Sequence, residues 1–208
     1  KHDDFVSRGG HKLAGALEAF SDVVVEGKVC LDAGASTGGF TDVLLRQGAK
    51  KVIAVDVGYG QLAWELRQDE RVVILDRTNI RHLTGDMVGE DVEIVVADLS
   101  FISLSLVLPA LAAVSKPSAD FLLMVKPQFE VGRERLGAGG VVRDPALRRS
   151  AVLDVAQSAY DVGLGTMGIA ASPLPGPAGN VEYFLWLRRG APAIDESALD
   201  RAIEMGPA

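Results

Sequence analysis

The chain has 208 residues, 48% hydrophobic and 24% charged, which suits one globular domain with a substantial core and excludes a mainly disordered or fibrous chain. A single cysteine, Cys30, excludes an internal disulfide and a multi-cysteine zinc site, and no metal site is expected. The formal net charge of −7 argues against a whole-surface grip on nucleic acid. No run approaches the roughly 18 apolar residues of a membrane span and no leader pattern opens the chain, so a soluble cytoplasmic protein is expected.

Apolar periodicity predicts a helix over 11–20 and then a first strand over 28–32. The turn DAGASTGGF (32–40) leads into a helix over 40–47, followed by a strand over 51–56, a helix over 61–68 and a strand over 72–75. A strand over 92–98, a helix over 103–115 and a strand over 120–126 come next. Residues 127–143 carry glycine without periodicity and read as a functional loop or lid. Asp144 before Pro145 caps a helix over 145–162, and strands over 168–172 and 181–187 close the sequence of elements. The alternation implies an α/β fold, a mostly parallel seven-stranded sheet covered on both faces. Only PLPGPAGN (173–180) separates the last two strands, too short for a crossover, so they should pair antiparallel. With no repeat or linker, one domain is expected, with a helical lead-in over 1–27 and a largely acidic tail over 189–208.

In an open parallel sheet, ligands bind beyond the carboxyl ends of the strands. Five predicted strands end in a charged residue, Asp32, Asp56, Asp76, Asp98 and Lys126, which describes a lined crevice. Gly34, Gly38 and Gly39 let the first turn approach a ligand, and Asp56, about twenty residues on, suits ribose hydroxyls. Together these suggest a nucleoside-containing cofactor, against the blander reading of a ligand-free glycine connector. Ser36 stands where a dinucleotide fingerprint has glycine, and no Gly-Lys-Ser/Thr follows, so phosphate cradling is disfavoured. Three carboxylates at Asp32, Asp56 and Asp98 suit a cation such as S-adenosylmethionine; an NAD-dependent oxidoreductase is the rival cofactor reading. Gly34-Ala35-Ser36-Thr37-Gly38 also matches a serine nucleophile elbow, but the histidines His2, His11 and His82 all come too early for a triad.

Basic residues fall in two places: Arg8, His11 and Lys12 near the start, then Lys126, Arg133, Arg135, Arg143, Arg148 and Arg149. A charge run is commonly a solvated face; a local basic face for nucleic acid is the alternative, with Arg8, Arg133, Arg135 and Arg143 as its candidates. Phe101, Phe129 and Trp186 have the rings to stack on bases, with core or rim packing the readier explanation for each.

The stretches SRGGHKL (7–13), LDAGASTGGFTDVLL (31–45), VDVGYGQL (55–62), VADLSFISL (96–104), VKPQFEVG (125–132) and SPLPGPAGNVEYFLWL (172–187) closely resemble the TlyA family. These are ribosomal RNA 2′-O-methyltransferases with an FtsJ-like domain, often labelled hemolysin A, and the resemblance runs from about Val6 to Leu187. It implies a Rossmann-like class I methyltransferase fold, S-adenosyl-L-methionine as cofactor, and cytidines of small- and large-subunit ribosomal RNA as targets. Family members carry an S4-like RNA-binding domain ahead of this region; the chain opens at Lys1, so the catalytic part alone is expected. The resemblance assigns a catalytic Lys-Asp-Lys-Glu tetrad to Lys12, Asp98, Lys126 and Glu182. It assigns cofactor binding to Gly34, Ala35, Ser36, Thr37, Gly38, Gly39, Phe40, Asp56, Val57, Thr78, Asn79 and Asp98. The hemolysin label suggests a membrane-acting lysin instead, but neither a long apolar helix nor a basic amphipathic stretch supports one.

Methyl transfer to a ribose hydroxyl is an in-line displacement in which a base, or a positive charge beside the developing alkoxide, accelerates attack. Lys126 suits either role: a second cation at Lys12 favours losing its proton, while Asp98 and Glu182 favour keeping it. Glu182 inside an apolar strand needs a partner.

Overall fold

Side chains along the strands alternate between two apolar cores, one on each face of a seven-stranded sheet. The computed structural model describes residues 4–206; His2 and the outermost positions of the expected lead-in and tail lie outside them. The strands are β1 (Val29–Ala33), β2 (Lys51–Val55), β3 (Val72–Leu75), β4 (Val92–Ala97), β5 (Ser115–Val125), β6 (Leu164–Ala171) and β7 (Tyr183–Arg189). Their order is β3-β2-β1-β4-β5-β7-β6, with β7 antiparallel to both neighbours and the other pairings parallel. The expected fold, including the reversed strand, is what forms.

One face is covered by α1 (Gly9–Ala19), α2 (Gly39–Arg46) and α3 (Trp64–Arg67), which pack Leu13, Leu44 and Leu66 onto Cys30, Val52 and Val96. Burial there pushes the Cys30 thiol up to about 12, so it is an inert core group. The other face receives α4 (Gly85–Val88), α5 (Leu108–Ala113), α6 (Pro145–Asp161) and α7 (Glu196–Met205). As expected, Asp144 caps α6, accepting from the Ala146 amide at 2.9 Å.

Several elements differ from the sequence reading: β5 and β6 begin earlier, at Ser115 and Leu164, and α4 was not expected. The helix expected over 61–68 is the four-residue α3, because the chain before it is spent on a loop in which the Arg77 amide reaches Gly58 O. The helix expected over 103–115 breaks at Val107 into a 3-10 turn (Leu104–Leu106) and α5, with Pro109 accommodated in the first turn of α5 where its missing N–H costs nothing. The acidic tail folds as α7: Asp195 accepts from the Ser197 and Ala198 amides, and Leu199 is fully buried. Residues 127–143 make three 3-10 turns and are tied down, with Val131 and Val142 packed on Ala151.

Candidate active site

The site forms where α1 crosses the start of α2. A Cβ on Gly39 would stand 2.3 Å from Ser7 Oγ and 2.7 Å from the Gly10 amide nitrogen, so the two glycine pairs permit an approach that side chains would block. That crossing carries Lys12 over the first turn. Gly34, at φ +82°, is equally constrained: a Cβ there would lie 2.4 Å from Asp98 O, so glycine lets the β1 turn abut the end of β4.

Two ion pairs face this turn. Lys12 Nζ lies 3.0 Å from Glu182 Oε1, and Lys126 Nζ lies 2.5 Å from Asp98 Oδ1 and 3.2 Å from Ser100 Oγ. The Lys126–Asp98 contact is an ion pair without the alignment of a hydrogen bond. Asp98 and Lys126 are the first residues past β4 and β5, and Glu182 comes just ahead of β7, so three strand ends and one helix bring the four groups together. The tetrad expected from the resemblance is therefore one spatial cluster.

Two cavities share Gly34, Ser36 and Asp98. One, about 280 Å³, is lined by Ser7, Arg8 and Lys12, by Ala35, Thr37 and Phe40 of the glycine turn, and by Pro175–Pro177. The other, about 440 Å³, is lined by Asp56, Val57, Gln61, Thr78, Asn79, Leu99, Ser100 and Phe101. Asp56 Oδ2 accepts from the Ser36 amide at 2.7 Å and Oδ1 from the Gly58 amide at 2.8 Å. Each oxygen keeps a second lone pair for a ligand hydroxyl. A carboxylate-lined crevice of this shape fits a cationic, nucleoside-bearing group better than a phosphate-bearing one.

Some expected residues stand elsewhere. Asp32 lies within β1, fully buried and lining neither cavity; its Oδ2 accepts from Thr41 Oγ1 at 2.7 Å. Burial pushes its carboxyl up to about 7 against the Thr41 hydrogen bond, with Asp98 and Asp56 pushing the same way. Asp76 braces the loop by accepting from the Gly60 amide at 3.1 Å. The crevice thus draws its carboxylates from Asp56 and Asp98, two of the four acidic strand ends expected, and Lys126 lines neither cavity. Gly38 caps α2 and packs beneath Leu62 and Leu66, and Gly39 lines the smaller cavity. Arg133, Arg135 and Arg143 are exposed on the 127–143 loop, while Arg149 is engaged by Glu196 and Asp200 of α7. Trp186 is core, its Nε1 donating to Asp120 at 2.8 Å, whereas Phe101 is 89% exposed at φ +63° against Phe129.

Residues 5–189 match the model of the FtsJ-like methyltransferase family. The chain belongs to the FtsJ-like methyltransferase family. A relative 60% identical over 98% of this chain and 77% of its own length is the 16S/23S rRNA (cytidine-2′-O)-methyltransferase TlyA of Mycobacterium tuberculosis. Among solved structures, a hemolysin-named protein of Streptococcus thermophilus superposes with a TM-score of 0.92 at 41% identity, over 98% of this chain and 75% of its own. One from Lactococcus lactis gives 0.88 at 43% identity, over 95% and 97%. The TlyA resemblance drawn from six motifs is borne out. No helix among the described residues is long and apolar enough to cross a membrane. For this FtsJ-like methyltransferase, sequence reasoning missed Ser7, Ser100, Gln128 and the wall at 175–177. Only the glycine in that proline-rich wall hinted at a close approach.

Proposed function

We propose that this FtsJ-like methyltransferase methylates the 2′-oxygen of ribosomal RNA nucleotides, cytidines among them, with S-adenosyl-L-methionine as donor. The observation that carries the reading is the convergence of Lys12–Glu182 and Lys126–Asp98 on the turn shared by both cavities. Gly34, Ser36, Asp56, Val57, Thr78 and Asn79 hold the cofactor in the larger cavity, with Ala35, Thr37, Gly39 and Phe40 continuing the wall toward Lys12. The cofactor, when bound, supplies an electrophilic methyl group on a sulfonium.

Lys126, paired with Asp98 at the strand ends, serves as the charged donor that orients the ribose oxygen and stabilises its developing negative charge. Lys12, held by Glu182, adds a second positive charge on the wall of the smaller cavity, where Asp98, the partner of Lys126, also stands. The hydroxyl proton leaves to water at the cavity mouth. Arg8 on the cavity wall and the exposed Arg133, Arg135 and Arg143 offer charges for RNA phosphates. Phe101 offers a ring for a base to stack on, since it is exposed in the turn that follows Asp98. An enzyme with this substrate works in the cytoplasm, where ribosomal subunits assemble.

Methyl-labelled S-adenosylmethionine and unmodified ribosomal subunits test the reading. Wild type should place label on alkali-resistant 2′-O-methylated dinucleotides, and Lys126→Ala and Asp98→Ala should lose it. Wild-type-level transfer by both variants, or no transfer by wild type to either subunit, would overturn it.

A further inference from the structure

The buried carboxylate of Glu182 is held by more than its lysine. Its Oε2 accepts from Gln128 Nε2 at 2.9 Å, while Oε1 faces Lys12 at 3.0 Å. We propose that Gln128 is a positioning residue that fixes the Glu182 carboxylate and, through it, the Lys12 ammonium; this rests on the methyl-transfer reading above.

Gln128 lies in the 3-10 turn Pro127–Phe129 that leaves β5, so one strand end delivers both Lys126 and Gln128. The three linked groups are all shut off from solvent: Gln128 is 7% exposed, Lys12 8% and Glu182 1%. Glu182 is also boxed in by backbone, because a Cβ on Gly176 would lie 2.1 Å from its Oε2. The terminal torsion of a glutamate is intrinsically broad. One contact to Lys12 leaves the carboxylate free to swing, whereas contacts on both oxygens and a wall at Gly176 leave it one orientation.

The choice of side chain is informative. An ionised carboxylate only accepts, so the amide presents its NH₂ to Glu182 and turns its oxygen away. That oxygen, Gln128 Oε1, is buried with no hydrogen-bond partner. A buried acceptor left unsatisfied is costly, and an apolar side chain of the same length would avoid it. A neutral donor does here what other side chains would not: it braces Glu182 without competing with Lys12, as a cation would, or repelling the carboxylate, as an anion would. Gln128 lines neither cavity, so it does not touch a ligand there and acts through the groups it holds, Glu182 and with it Lys12.

Gln128→Leu and Gln128→Glu test this in the intact chain. In Gln128→Leu, kcat for methyl transfer should fall on the order of 10²-fold, as expected for a displaced catalytic group, with S-adenosylmethionine affinity unchanged within about twofold. In Gln128→Glu, activity should recover toward wild type as pH falls and the introduced carboxyl gains an O–H donor, and should drop as pH rises and two carboxylates face each other. A crystal structure of Gln128→Leu should show the Lys12–Glu182 contact broken. Retained kcat in Gln128→Leu, an equal loss at every pH in both variants, or an intact Lys12–Glu182 contact in that crystal would overturn the proposal. Absence of transfer by wild type would sink the methyl-transfer reading alone, and the crystal structure would still decide the positioning of Glu182.

Discussion

The two lysine–carboxylate pairs are chemically alike and differently built. Lys12–Glu182 joins residues 170 apart, with side chains 10% and 0% exposed, and the second carboxylate oxygen is taken by Gln128. Lys126–Asp98 joins the ends of two adjacent parallel strands, with side chains 8% and 26% exposed, and Asp98 lines both cavities. In the first the carboxylate is sealed in and only Lys12 reaches the smaller cavity; in the second the carboxylate opens onto both cavities and the lysine is the enclosed member. One site thus joins a pair held through its carboxylate to a pair exposed through its carboxylate.

Variants at the two pairs break or sharpen this contrast. The largest effect is on rate: Lys126→Ala should slow methyl transfer by about 10²–10⁴-fold, the range for losing a charge positioned on a reacting oxygen. Next comes folding. Glu182→Ala strands Lys12 in the interior and should cost about 3–5 kcal/mol in urea unfolding, whereas Asp98→Ala, at a more open pair, should cost less than half of that. Equal costs would erase the distinction.

A third carboxylate, belonging to neither pair, responds to pH. The carboxyl of Asp32 is raised to about 7 in the folded chain against 3.8 for the free group, so folding disfavours its ionisation. For an acid raised in this way the destabilisation is absent below about pH 4, grows as pH climbs and is complete above about 7. Asp32→Asn should match wild type in stability near pH 4 and exceed it near pH 8, by up to about 4 kcal/mol. Thermal melts across that range would show a constant difference if Asp32 stays ionised in the fold. The smallest effect belongs to the far arm of the crevice: Asp56→Ala should weaken cofactor binding about tenfold by calorimetry, close to one lost hydrogen bond, and leave RNA capture unchanged.

The sheet was legible because buried parallel strands read as short β-branched runs, and the short link at 173–180 revealed the reversed strand. Asp98 and Lys126 were legible as strand ends. Glu182 was marked locally as a carboxylate inside an apolar strand, but Lys12 was identifiable only through a family motif, since nothing local names a partner 170 residues away. Asp32 was misplaced because a period-2 pattern does not say which polar residue ends a strand and which, like Asp32 beside Thr41, is buried one position earlier. The helix α7 was missed because its apolar stripe is little more than Leu199 and Ile203 in an acidic stretch, so tertiary burial and the Asp195 cap decide it. Gln128 gave no signal, as a lone amide carries no period and no charge.

Single-turnover methyl transfer by Lys12→Met, Lys126→Met and the double variant tests the central claim most directly. If both ammonium groups act on one reacting oxygen, their losses do not add, and the double variant should be no more than a few-fold slower than the slower single. A double variant slowed by the full product of the two single effects would mean that the lysines act independently, and would contradict a shared centre.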